Sequence, residues 1–202
     1  TIEEARADLF ALYYIADPKL VELGLLPNDS AYKAEFYSYI MNGLLTQLIR
    51  IQPGKDIEEA HMRNRSLIAH WCYEKGKADN VIEMKQKDGK TYVLVNDYEK
   101  LRTLFGKLLS EIQTITSTGD FSAARTLVEN YGVKVNLQLH NEALARYEKL
   151  NLKPYKGFVN PVLTAKTDKT GKIVAVEVTY KESYVEQQLR YSKDYSFLPI
   201  FN

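Results

Sequence analysis

The segment Leu9-Phe10-Ala11-Leu12-Tyr13-Tyr14-Ile15-Ala16 carries no charge at all. It continues an opening stretch, Thr1-Ile2-Glu3-Glu4-Ala5-Arg6-Ala7-Asp8, that reads as the first turns of one helix. A helix that is apolar on every side belongs inside a large core. The rest of the chain must therefore supply elements that surround it. Three carboxylates stand at the mouth of this helix, and Glu4 and Asp8 share one face because they are a helical turn apart. Carboxylates taken out of water need a partner that neutralises them. A metal ion or a cluster of bases would serve. The alternative is that Glu3 and Glu4 only complement the positive end of the helix dipole.

The chain is large enough to provide that core. Its 202 residues are 45% apolar and 26% charged, the composition of a globular protein. The balance of 27 basic against 26 acidic residues gives a net charge of +1. That balance offers no basis for binding nucleic acid or an anionic membrane surface. No apolar run reaches the roughly 18 residues of a membrane span. The single cysteine, Cys72, excludes an internal disulfide and fits a reducing compartment, so a cytoplasmic location is expected. The chain opens inside an apparent helix; it is expected to carry no signal peptide and to be a piece of a longer protein.

Most of the remaining sequence is helical in pattern. Asp17-Pro18 breaks the first helix, and a short helix runs from Pro18 to Leu23 and ends at Gly24. Asn28-Asp29-Ser30 caps a helix expected over 30–50, with Phe36, Ile40, Leu44 and Leu48 at helical spacing. Gly43 within it either permits a close helix crossing or is slack. A helix from about Asp56 to Lys75 follows the Pro53-Gly54 turn. Asp88-Gly89 between β-rich runs predicts a hairpin. Asn96/Asp97 caps a helix to about Ile115, and Ser117-Thr118-Gly119-Asp120 stops it and caps another, which Gly132 ends. Asn141 to Leu150 is a further short helix. From Pro154 the pattern changes: Phe158–Lys166 and Lys172–Tyr180 form a second hairpin, and Glu182–Tyr191 an amphipathic helix. The apolar end, Ser196 to Asn202, is expected to dock. The fold class is thus mainly α with two β-hairpins, an α+β chain.

Known catalytic signatures are missing. There is no nucleophile elbow, phosphate-binding loop or dinucleotide fingerprint. The three histidines, His61, His70 and His140, do not share the spacing of a zinc-protease helix. His70 reads as structural. His61 and Arg65, four apart, lead onto Ile68 and Cys72 at the same angular position. They are either a satisfied structural pair or the wall of a cleft, with ring and guanidinium aimed at a substrate.

Four spaced stretches add a resemblance. Glu3-Glu4-Ala5-Arg6-Ala7-Asp8 resembles the E-E-x-R-A-E/D motif of the M49 zinc metallopeptidases, the dipeptidyl peptidase III family. Ala60-His61-Met62-Arg63-Asn64-Arg65, Ser117-Thr118-Gly119-Asp120 with Arg125, and Lys156-Gly157-Phe158-Val159-Asn160-Pro161 continue it in the same order. The chain looks like the C-terminal third of a bacterial, Bacteroidetes-like member. The resemblance implies that Glu4 is the third zinc ligand, and that Glu3 and Asp8 orient the ligand histidines, which need an acceptor on the second nitrogen. It implies that the other two ligands and the general base sit on an H-E-x-x-G-H helix in the preceding, N-terminal remainder of the same polypeptide. His61 would act as the catalytic donor near the scissile bond, with Arg65 and Lys156 binding substrate. The family commonly has Arg-Lys where this chain has Tyr155-Lys156, so the arginine's bidentate contact is gone.

The implied activity is removal of dipeptides from the amino end of oligopeptides by one zinc ion. Residues 1–153 would belong to the helical zinc lobe and 154–202 to the second lobe, with Lys153–Gly157 as the hinge. The isolated chain, lacking two ligands and the base, is expected to be inactive and to hold little metal. The competing reading is a non-catalytic helical binding or scaffold module. In that reading the acidic start is a helix cap and His61/Arg65 a structural pair.

Overall fold

The computed structural model describes residues 1–152 and 158–198. They contain eight α-helices and two antiparallel hairpins, the mainly α architecture with two β-hairpins that periodicity predicts. The chain divides into two compact units, Thr1–Asn151 and Leu152–Asn202. No helix among the described residues is long and apolar enough to cross a membrane.

The first unit is built on α1 (Ile2–Ile15), α3 (Tyr32–Leu44), α4 (Ala60–Lys75) and α5 (Tyr98–Thr118). A short α2 (Lys19–Glu22) links the first two. These helices converge on a continuous core containing Leu9, Phe36, Ile40, Leu67, Ile68 and Phe105. The Phe36 and Phe105 rings meet edge to face, 4.9 Å between centroids. The first hairpin, β1 (Ile82–Lys87) and β2 (Lys90–Val95), turns through Asp88 and Gly89, both at positive φ. Then α6 (Phe121–Val128) leads by a π-helical turn to α7 (Leu137–Lys149).

Four expectations need correction. The helix expected over 30–50 stops at Leu44, because Leu45 leaves helical geometry and a 3₁₀ turn, Thr46–Arg50, follows. The buried Gln47 amide sits at that bend and donates to Gly43 O and Met62 O. The helix expected from Asp56 begins at Ala60, since the Ile57 backbone is engaged elsewhere. Its N–H donates to Val133 O at 2.9 Å, and its carbonyl accepts from Arg63 Nε. Gly132 does not end a helix. It lies in the π-helical turn, where a Cβ would come within 3.0 Å of Arg63 O, so its role is close approach to α4. The helix expected from Asn141 begins at Leu137, capped by Asn136, whose side chain accepts the Leu139 N–H.

The first helix is not covered all round. Ala5, Leu9 and Leu12 are buried, but Phe10 is 59% and Tyr14 45% exposed. The reason is that helices pack on α1 from one side only. Tyr13 closes the edge of that packing. It lies under Arg102, 4.9 Å from ring centre to guanidinium carbon, and against Gly106 of α5, where a Cβ would come within 2.8 Å of the ring.

The second unit holds β3 (Val162–Thr167), β4 (Ile173–Thr179) and α8 (Tyr184–Asp194). Ser183 and Glu186 form a capping box at the start of α8. The Gln187 side chain is buried and pairs both ways with the Asn160 backbone, accepting its N–H at 2.7 Å and donating to its carbonyl at 2.8 Å. Phe197 and Leu198 are exposed, and the rest of the segment expected to dock, 199–202, lies outside the described residues.

Candidate metal-binding face

The first turns of α1 and α4 meet. Glu4 lies one turn into α1, and His61 is the second residue of α4. Their side chains touch, His61 Nδ1 to Glu4 Oε2 at 3.0 Å. Both stay accessible, the imidazole 57% and the carboxylate 40% exposed. A carboxylate can only accept, so the proton of this contact is on Nδ1, and Nε2 is left for a second partner. The position of His61 is set by Glu59, which caps α4 by accepting the His61 and Met62 N–H groups at 2.9 Å each. These backbone donors hold the Glu59 carboxyl below the usual glutamate range.

One turn further along, Asp8 is joined to the same pair of helices through Tyr39 of α3. The Tyr39 hydroxyl is 2.8 Å from Asp8 Oδ2 and 2.7 Å from the side chain of Asn64. The phenol has one O–H to donate, and Asp8 Oδ2 accepts that hydrogen bond. The Asn64 amide must then turn its NH₂ toward the tyrosine oxygen. Burial, and next the Asp8 charge, push the Tyr39 phenol far above its ordinary pKa, so it stays a donor at every physiological pH. Arg65 follows His61 by one turn and is half-buried, and its charge acts on both Tyr39 and Glu59.

The structure thus brings Glu4, Asp8, His61 and Arg65 to one region, where α1, α3 and α4 come together. Glu3 is not among them. Its carboxylate pairs with Arg6 at 2.8 Å and lines a groove of about 1110 Å³ between α1 and α5, with Phe10, Tyr13 and Arg102. Arg6, Glu99, Arg102 and Lys107 also line that groove, but Glu4, Asp8, His61 and Arg65 do not. Lys156 and the expected hinge, 153–157, lie outside the described residues. His70 is structural: Nδ1 lies 2.9 Å from Ser66 O, and burial depresses its pKa. Asp120 and Gly119 act as caps, Asp120 accepting the Ala123 N–H and Gly119 sitting at positive φ.

Tyr39 and Glu59 were not singled out by sequence reasoning. Tyr39 did carry a signal, since it falls between Phe36 and Gly43 on the inward side of α3. A tyrosine at such a place is indistinguishable from core filler in a chain with 15 of them.

The M49 peptidase family model matches residues 1–186. The chain belongs to peptidase family M49. Dipeptidyl peptidase 3 of Mus musculus is similar to it, 27% identical over 166 residues, which is 74% of this chain and 22% of that protein. The M49 chain described here therefore spans about a fifth of the length of the curated relative it matches.

No three His, Cys, Asp or Glu side chains converge as a metal centre among the described residues. A catalytic zinc takes three protein ligands. What this M49 chain offers is an accessible carboxylate beside an imidazole, which fits one corner of such a centre.

Proposed function

We propose that this chain is part of a zinc-dependent M49 peptidase that removes dipeptides from the amino end of oligopeptides. Glu4 is its carboxylate ligand, and the remaining ligands and general base come from residues outside this sequence. The observation that carries the reading is the contact between Glu4 and His61, residues of two separate family motifs whose side chains meet at 3.0 Å on an accessible surface. Zinc, when bound, polarises the scissile carbonyl and acidifies its water.

The chain's own residues supply position and charge. His61 stands beside the metal-ligand carboxylate; as an imidazolium, with Nδ1–H on Glu4, it has an Nε2–H that can stabilise an oxyanion as it develops. Arg65, one turn on, offers a fork that matches a peptide carboxylate or carbonyl. Asp8 is the acceptor left for a ligand histidine's second nitrogen. Residues 1–153 belong to the zinc lobe and 154–202 to the other, an assignment supported by the division of the chain at Asn151/Leu152. The accessibility of His61 argues against a scaffold module, because an exposed ion pair contributes about 0–1 kcal/mol and holds little together.

The test uses the full-length peptidase containing this chain. Glu4→Ala is expected to lower zinc content, measured by atomic absorption. His61→Ala is expected to keep zinc and lower kcat. Equal zinc loss in both variants would contradict the assigned roles.

A further inference from the structure

We propose that Tyr39 is a positioning residue for the Glu4–His61 face: its phenol, held by Asn64, fixes the Asp8 carboxylate and the register of α1 on α4. The inference rests on the reading of Glu4 as a zinc ligand, but the linkage itself is drawn from geometry alone.

Three features support it. First, the link spans three helices. Tyr39 on α3 reaches Asp8 on α1 at 2.8 Å and Asn64 on α4 at 2.7 Å. Asp8 is one turn after Glu4, and Asn64 is three residues after His61. The two cross-links, Glu4–His61 and Asp8–Tyr39–Asn64, therefore join the same two helices one turn apart. Apolar packing between helices tolerates small slides, whereas a directional hydrogen bond does not.

Second, Asn64 is a costly residue for its place. It is fully buried, and its second amide atom has no hydrogen-bond partner. An apolar residue there would avoid that penalty. The amide makes one hydrogen bond, to Tyr39, so what it provides is the anchoring of that phenol.

Third, α3 is brought close enough for the phenol to reach across. Gly43, one turn after Tyr39, lies where a Cβ would collide with Arg65 O and come within 2.5 Å of Ala69 Cβ. The missing side chain lets α3 lie directly on the turn of α4 that carries Arg65.

The deciding variants are Tyr39→Phe and Asp8→Asn in the full-length peptidase. Tyr39→Phe keeps the ring and deletes only the hydroxyl. Four quantities are measured: the zinc dissociation constant by chelator competition, kcat, KM, and amide hydrogen exchange of residues 2–10 in the metal-free protein. Tyr39→Phe is expected to weaken zinc about tenfold or more, in the range found for groups that orient metal ligands. It should lower kcat more than it raises KM, and speed exchange in the first turns of α1. Tyr39→Phe placed on Asp8→Asn is expected to add less than it does alone, since Asp8→Asn already replaces the charged acceptor of that bond with a neutral one.

Tyr39→Phe with a lower melting temperature but unchanged zinc affinity, kcat and exchange would make the tyrosine merely structural and overturn the proposal. So would full additivity with Asp8→Asn. If Tyr39→Phe does not fold, Asp8→Asn carries the test, because it removes the charge that holds the link at its half-exposed end; unchanged zinc affinity there also overturns it. Zinc binding that survives Glu4→Ala would instead overturn the underlying metal-ligand reading. Zinc lost in Glu4→Ala but unaffected in Tyr39→Phe would sink the positioning role alone.

Discussion

Glu59 belongs to no motif, yet it starts the helix that presents His61. Its carboxylate accepts two backbone N–H groups that α4 cannot satisfy internally. Glu59→Ala is expected to cost about 1 kcal/mol at pH 7, the usual value of an N-cap. The sign of the pH dependence follows from the depressed pKa. A group whose folded pKa is lowered stabilises the fold above its unfolded value, about 4.3 for glutamate, and loses that contribution as pH falls through the folded value. The gap between wild type and Glu59→Ala, read by urea unfolding, should therefore shrink below about pH 4. An equal gap at neutral and strongly acidic pH would rule out the carboxylate as the cap. At this scale the sequence was partly legible. Glu4 and His61 could be picked out because charged and ionisable residues interrupt or precede apolar stripes. Tyr39 could not, because only its neighbours in space distinguish it from the other tyrosines.

Elements were legible where the residues that make them are adjacent in sequence. Asp88-Gly89 provides the two positive-φ positions of a tight hairpin, and both strands follow. Asp97, Asp120 and Ser183 cap the helices they precede. The boundaries that were misplaced are those set by distant partners. Ile57 stays out of α4 because Val133 O takes its N–H, and α3 bends at Leu45 where Gln47 reaches Met62. Gly43 shows the same dependence. Its periodicity left a close crossing and simple slack equally open, and the carbonyl of Arg65 decides for the crossing. Gly43→Ala is expected to destabilise by about 2 kcal/mol or more, as overpacking against backbone does. The shift in the unfolding midpoint with denaturant measures this. A neutral or stabilising effect would mean that α3 and α4 separate freely.

For the molecule as a whole, the proposed zinc ion ties part of its binding free energy to stability. A ligand that binds only the folded state stabilises it by about 4 kcal/mol at a thousandfold excess over Kd. Chelation should lower the melting temperature of the full-length wild type and leave Glu4→Ala almost unmoved, as scanning calorimetry would show. The same drop in both would remove Glu4 from the centre. By itself the sequence determined the number of α-helices and hairpins, the hairpin turns and most caps, because each depends on dihedral preferences and apolar spacing within a few residues. It also determined which motifs carry the family likeness. The tertiary structure alone decided that α1 keeps Phe10 and Tyr14 exposed, and that Asp8 reaches Asn64 through Tyr39. It alone decided that Glu4 lies against His61 while Glu3 turns to Arg6. Those facts depend on which faces of separate helices meet, and contacts across 57 residues of chain between Glu4 and His61 leave no periodic trace in the sequence.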